Sequence, residues 1–451
     1  MPFDLLVIGN VVTPAGVLEG GAVAVADGRI AEVFPSAAQT EAAQRIDATG
    51  QWVLPGAIDP HVHCFSSPSE GFLRATRAAA AGGVTTVIEM PYDAGAPVVS
   101  REVLERKLDL LRREVVVDVA LLGTIRKVDG VREIGGLVDG GVCGFKLSMF
   151  ETDPQRFPRI ADGDLLEAFR EIGQAGLTVG VHAEDGEIIY PLIAAYQAAG
   201  KRFPKAHCET RPPVSETASV ALALELAAQA DAQLHIYHAS LARSVELVRT
   251  YRSQGVRATA ETCPHYLLLN EQDMDQLGGF GKINPPLRPT DAVAELWSLL
   301  ERDVVDMISS DHAPWPRERK DNRDDIFANA SGTPGVETLL PLMYSAGVAA
   351  GRFDILQLAR LHSETPARTF HLFPRKGHIA AGADADLVII DPAATWTMHA
   401  ADLHSAAGWT PYEGLPMLGR VRTTLVRGRV VYDGTQVTAS PGDGEFIAPV
   451  R

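Results

Sequence analysis

The stretch Ala57-Ile58-Asp59-Pro60-His61-Val62-His63 decides the fold. It is a short apolar run that ends on two histidines two residues apart. Side chains alternate along a strand, so His61 and His63 share one face. Seven further short runs follow, at residues 85–88, 116–121, 143–146, 178–182, 233–238, 257–261 and 305–309. Between them lie helix-like stretches such as residues 73–81, 103–113, 165–174, 216–230 and 241–253. Strands alternating with helices predict an α/β fold, a TIM-like (β/α)8 barrel over residues 54–379. The chemistry of such a barrel belongs at the C-terminal ends of its strands.

The two ends of the chain read differently. Leu5-Leu6-Val7-Ile8, Ala22-Val23-Ala24-Val25 and Ile30-Ala31-Glu32-Val33 are strand-like, with Asp27-Gly28 as a hairpin turn. Leu387-Val388-Ile389-Ile390, residues 420–427 and Val430-Val431-Tyr432 repeat the pattern, with turns at Arg427-Gly428 and Asp433-Gly434. The simplest packing is a small β-sandwich domain made from residues 1–53 plus 380–451, with the barrel inserted between them.

Composition narrows the function. The 451 residues are 46% hydrophobic and 22% charged, a globular balance. The net charge of −16 repels phosphate backbones and argues against a nucleic-acid partner. No run approaches the roughly 20 apolar residues of a membrane span. The first twelve residues carry Asp4 and no basic leader, and read as a strand rather than a signal peptide. Cys64, Cys143, Cys208 and Cys263 form no Cys-x-x-Cys pair, which fits buried reduced thiols in a cytoplasmic protein.

Six chemically competent side chains end five of the runs: His61 and His63, Lys146, His182, His238 and Asp311. His61 and His63 can grip one metal ion; His182 and His238 supply nitrogen ligands for a second. In the sixth run residues 234, 236 and 238 share a face, so His238 should point inward and His235 outward, as a structural residue. A protonated lysine between two dications is repelled. Lys146 therefore needs its neutral amine, which adds carbon dioxide to become a carbamate with one oxygen for each ion. Asp311, on the inward register 307, 309, 311, can bind the first ion and take a proton from water. Each residue also has an ordinary reading: a core or capping histidine, an ion-paired lysine, a turn-capping aspartate. Six suitable types at five suitable strand ends argue jointly for two metal ions.

With these residues in place, the chain resembles the amidohydrolase superfamily, in particular its cyclic amidohydrolases: allantoinases, dihydropyrimidinases (hydantoinases) and dihydroorotases. The resemblance covers nearly the whole chain. It rests on residues 55–63, the run Gly82-Gly83-Val84-Thr85-Thr86-Val87-Ile88-Glu89-Met90-Pro91, and Gly144-Phe145-Lys146. It continues through Glu261-Thr262-Cys263-Pro264-His265-Tyr266-Leu267, Asn284-Pro285-Pro286-Leu287-Arg288, Ser310-Asp311-His312 and the tail Gly382-Ala383-Asp384-Ala385-Asp386-Leu387-Val388.

The resemblance implies that His61, His63, Lys146 and Asp311 bind the more buried ion, and Lys146, His182 and His238 the more exposed one. Zinc is the usual metal; cobalt, manganese, nickel or iron can substitute. It implies hydrolysis of a small cyclic amide by a homo-oligomer, a tetramer or dimer. Dihydroorotases resemble His-x-His-x-Arg and place Asn after the strand-two Met-Pro; here those positions are Phe65 and Tyr92. Hydantoinases carry a Tyr five residues after the Lys; here that residue is Glu151, preceded by Phe150. The run 83–91 and Trp409-Thr410-Pro411-Tyr412-Glu413-Gly414 look most like allantoinases, implying allantoin to allantoate. Some relatives of hydantoinases resemble non-catalytic scaffolds that have lost ligands, whereas all six positions are competent here.

Asn284, Phe150 and Thr333 are candidate substrate contacts, with ordinary loop roles as the alternative. His265 and His312 are candidates for orienting metal ligands, or are ordinary hydrogen-bonded histidines. Loops 148–160 and 315–329 should shape the pocket; Arg317, Arg319, Lys320 and Arg323 in the second read as a solvated face.

Overall fold

The computed structural model describes residues 3–36 and 40–450. The N-terminal strand therefore begins at Phe3, and Met1 and Pro2 of the expected run lie outside the described residues. Strands β1 (Phe3–Thr13), β2 (Gly16–Ala26), β3 (Arg29–Phe34) and β4 (Ala42–Pro55) open the chain. The barrel strands are β5 (Ala57–Val62), β6 (Val84–Glu89), β7 (Asp118–Gly123), β8 (Gly144–Ser148), β9 (Thr178–His182), β10 (Gln233–Ile236), β11 (Ala258–Thr262) and β12 (Met307–Ile308). Last come β13 (Leu387–Thr397), β14 (Pro416–Val426) and β15 (Arg429–Tyr432).

Strands β5 to β12 pair in sequence order, each neighbour parallel to the next. The ends meet through a bridge from Val62 to His312, supported by the His63 amide on the His312 carbonyl at 2.8 Å. Alternation divides the barrel side chains into two cores. Val87, Val119, Phe145, Val181, Leu234 and Ile236 face outward against helix residues such as Phe72, Leu104, Phe169 and Leu224. Ile58, Ile88, Ala120, Leu122, Tyr237 and Met307 fill the interior with Phe370 and Leu372. Fully burying such side chains is worth about 1.5–3 kcal/mol each. The polar members of the inward register are displaced toward the strand ends, and that is where the site lies.

The termini form one seven-stranded mixed sheet in the order β15-β14-β13-β4-β1-β2-β3. It folds over on itself: Val23, Val25 and Ile30 from one end share a core with Leu387, Ile389 and Leu425 from the other. Where the sequence pattern suggests a two-layer sandwich, one continuous sheet encloses this core. The opposite side, through Leu54, Val388, Ile390 and Val421, packs into the barrel's helix layer. A buried cluster ties the two parts together. Lys376 Nζ lies 2.6 Å from Asp386 and 3.0 Å from Asp384, and also bonds Asp118 of β7.

Two junctions are tight. Only Gly56 separates β4 from β5, and a Cβ there would overlap the Thr85 side chain. At the other end of the chain, residues 445–450 leave the sheet and pass beneath the barrel. The Val119 amide bonds the Glu445 carbonyl at 2.8 Å, the Ile447 amide bonds Val119 at 2.9 Å, and Ile447 enters the interior core. Among the described residues no helix is long and apolar enough to cross a membrane.

Candidate active site

All six strand-end residues line one cavity of about 450 Å3 at the C-terminal end of the barrel. His61 Nε2 lies 3.1 Å and His63 Nε2 3.5 Å from Asp311 Oδ1. Donor atoms of these three residues fall within 4.8 Å of one another, close enough to hold a metal ion. Opposite them, His182 Nδ1 and His238 Nε2 approach to 2.9 Å. Burial lowers the pKa of His61, His63, His182 and His238, and the charge of Lys146 adds to the effect. Neutral imidazole is the form that ligates a metal.

Lys146 is fully buried, and among the described residues nothing pairs with its Nζ. The nitrogen stands 3.5 Å over the Tyr237 ring. Burial drives its pKa down to about 7, against the pull of Glu261 and Asp311. An unpaired buried ammonium is costly, so this position favours the free amine. With His238 Nδ1 also unpartnered, the donor set fits a pair of divalent ions.

Carboxylates that the motifs passed over hold the histidines in place. Glu261 Oε1 lies 2.6 Å from His61 Nδ1, and its other oxygen 3.2 Å from His235 Nε2. The same Oε1 accepts the His238 amide at 3.2 Å. His182 Nε2 lies 2.8 Å from Glu184, whose carboxylate also takes the Arg211 guanidinium at 2.7 Å. Burial works against the Glu184 charge, yet Arg211 and His182 hold its pKa down to about 2. Asp59 accepts the amides of His61 and Ser310, joining the first and last strands. Burial raises its pKa to about 7. The sequence signal for these residues was a carboxylate set inside or directly after an apolar run, as in Ala260-Glu261-Thr262.

The expected register of the sixth strand is reversed. Leu234 and Ile236 face the helices, while His235 points inward onto Tyr237, Phe370 and Glu261. The strand ends at Ile236, and His238 takes a left-handed φ of 41° that returns its ring to the cavity. Asp311 also has a left-handed φ, 46°. Such conformations cost on the order of 1–3 kcal/mol and persist where surrounding structure enforces them.

The remaining candidates separate. Phe150 and Asn284 line the cavity, and Asn284 Oδ1 is buried without a partner. Thr333 does not reach the wall: its carbonyl is taken by the Ala313 amide at 2.8 Å, pairing it with the strand-eight extension, and Gly332 lines the cavity instead. His312 Nδ1 accepts the amides of Gly335 and Val336, and its Nε2 faces Glu70 at 3.4 Å. His265 is buried with a free Nε2, and burial lowers its pKa to about 4. Neither His265 nor His312 lines the cavity.

The charged loop after strand eight is only partly a solvated face. Lys320 is fully buried and donates to the carbonyls of Lys282, Ala330 and Gly332 at 2.8–2.9 Å. Lys282 donates to Phe327 and Asn329 in the same loop. Arg156, Arg319 and Trp315 lie on the cavity wall.

The model of the amidohydrolase family matches residues 52–431. An allantoinase of Rubrobacter xylanophilus is 39% identical over 455 residues, spanning 100% of this chain and 98% of its own length. An L-hydantoinase of Paenarthrobacter aurescens is 34% identical over 452 residues, 99% of this chain and 98% of its own. The solved L-hydantoinase (dihydropyrimidinase) from Arthrobacter aurescens superposes with a TM-score of 0.96 at 33% identity, covering 99% of this chain and 100% of that one. With histidines, lysine and aspartate gathered at the mouth of its barrel, the chain belongs to the amidohydrolase family.

Proposed function

We propose that this protein is a metal-dependent hydrolase that opens a hydantoin-type cyclic amide ring, with allantoin to allantoate as its first-ranked reaction. One observation carries the reading: a fully buried, unpartnered Lys146 amine lies on the same cavity wall as four histidines and Asp311. His61, His63 and Asp311 would hold one divalent ion, His182 and His238 a second, with Lys146 as a carbamate between them. Bound there, the ions supply an acidified water and a polarised carbonyl.

The protein's own groups do the rest. An Asp311 carboxylate oxygen takes the proton of the attacking water and hands it to the ring nitrogen as the carbon–nitrogen bond breaks. Glu261 fixes His61 through Nδ1, leaving Nε2 for the centre. Phe150 and Trp315 supply aromatic walls that exclude solvent.

The ranking within the class follows the walls. Phe65 packs edge-on against Phe72, and Tyr92 donates to the Lys146 carbonyl, so neither offers the carboxylate anchor of a dihydroorotase. Glu151, five residues after Lys146 where hydantoinases carry a tyrosine, lines the cavity with Phe150 beside it. A hydantoinase reading is the second choice, supported by the L-hydantoinase likeness. The test is a side-by-side assay of allantoin, hydantoin, dihydrouracil and dihydroorotate after loading with zinc and bicarbonate. Preference for allantoin supports the ranking; preference for dihydroorotate overturns it.

A further inference from the structure

The cavity wall is more basic than a protein of net charge −16 leads one to expect. It carries Arg156, Arg211, Lys282 and Arg319. Two of these are spoken for. Arg211 is bound to Glu184 at 2.7 Å, and Lys282 to the carbonyls of Phe327 and Asn329.

Arg156 and Arg319 are not. Their guanidinium carbons lie 5.6 Å and 5.2 Å from the Trp315 ring, so two like charges share one indole. The only side-chain hydrogen bond of Arg156 among the described residues is a long one, 3.5 Å, to the Ser66 carbonyl, and its Nε is buried without a partner. Asp153 and Asp93 act on the Arg156 charge, yet among the described residues neither makes an ion pair with it within 4 Å, and each of the mouth's acids has another partner. Glu151 pairs with Lys127 at 2.5 Å, Asp153 Oδ1 takes the amides of Gln155 and Arg156, and Asp93 pairs with Lys107 at 2.6 Å. Arg319 is exposed and Arg156 half-buried, whereas Lys146 and His182 are buried. The two free guanidiniums therefore stand between the candidate centre and solvent.

Ring opening changes the ligand's charge. A neutral cyclic amide plus water gives a ureido acid, ionised at neutral pH. Guanidinium pairs bind carboxylate far better than a neutral ring. We infer that Arg156 and Arg319 form a product-side subsite that binds the carboxylate of the ring-opened ureido acid near the cavity mouth. The inference rests on the hydrolytic reading for the word product, and on these two side chains for the site.

The test uses zinc-loaded protein and two probes that differ by one water, hydantoin and N-carbamoylglycine. Calorimetry measures N-carbamoylglycine binding to wild type, R156Q, R319Q and the double variant at low and high salt; hydantoin turnover is followed in parallel. The expected result is about a tenfold loss of N-carbamoylglycine affinity per substitution at low salt, with smaller losses at high salt. R156K should retain part of the affinity, and hydantoin KM should hold steady, showing intact folding. Equal N-carbamoylglycine binding by wild type and double variant overturns the subsite. Failure to open hydantoin or any other cyclic amide, with Arg-dependent binding intact, sinks the hydrolytic reading and leaves the anion subsite standing.

Discussion

Glu261 holds His61 by its Nδ1 at 2.6 Å, and both side chains are almost wholly buried. The contact fixes which ring nitrogen faces the cavity, and so decides what His61 can ligate.

Replacing that carboxylate by its amide, Glu261→Gln, should lower metal affinity about 10–100-fold. Zinc retention against a graded chelator series measures it. Retention equal to wild type would remove Glu261 from the positioning role.

Asp311→Asn keeps an oxygen but no longer accepts a proton. We expect zinc content close to wild type and a fall in kcat of about 10²–10⁴-fold. A near-normal rate in the metal-loaded variant would refute the proton-transfer role.

Lys146 sets a pH dependence. Burial brings its pKa from 10.5 to about 7, so below pH 7 the metal-free protein carries the ammonium, which cannot add carbon dioxide. With dissolved carbon dioxide held constant, reactivation of metal-stripped protein should slow as pH falls from 8 to 6. Lys146→Ala should lose at least one ion and recover activity with a short carboxylic acid. Unchanged metal content by elemental analysis would count against the carbamate.

Lys320 closes the loop over the cavity through three carbonyls. Lys320→Met strips the Ala330 and Gly332 carbonyls of this donor, while the Lys282 carbonyl keeps the Gly332 amide, and should cost roughly 2 kcal/mol. Faster hydrogen exchange confined to residues 315–333, with KM raised more than kcat lowered, is the expected pattern. Uniform exchange across the chain would show that the loop is held by other means.

Much of the barrel was legible because its strands are apolar runs with chemistry at one end. Thr178–His182 is bounded as the pattern indicates. The eighth run spans five residues, yet only Met307–Ile308 form the strand; the ladder ends with the Ser309 amide on the Thr262 carbonyl, and Ser310 turns its amide to Asp59. His235 was misassigned because alternation was counted back from His238, and a left-handed residue breaks that count. Glu261 and Arg211 escaped because their partners lie on other elements; Glu184 sits only two residues from His182, and its role shows only once Arg211 closes on the same carboxylate. Nothing in the local pattern of Arg156 or Arg319 brings them to one indole; only the folded loops do.

The bond between sheet and barrel has no slack. One glycine joins Ala42–Pro55 to Ala57–Val62, and its own surroundings forbid a side chain. The join therefore works as a ruler. A single residue gained or lost between Val53 and Pro60 would turn His61 and His63 toward the helices, so a designer grafting a new lid should change length at the loop tips and leave this splice untouched.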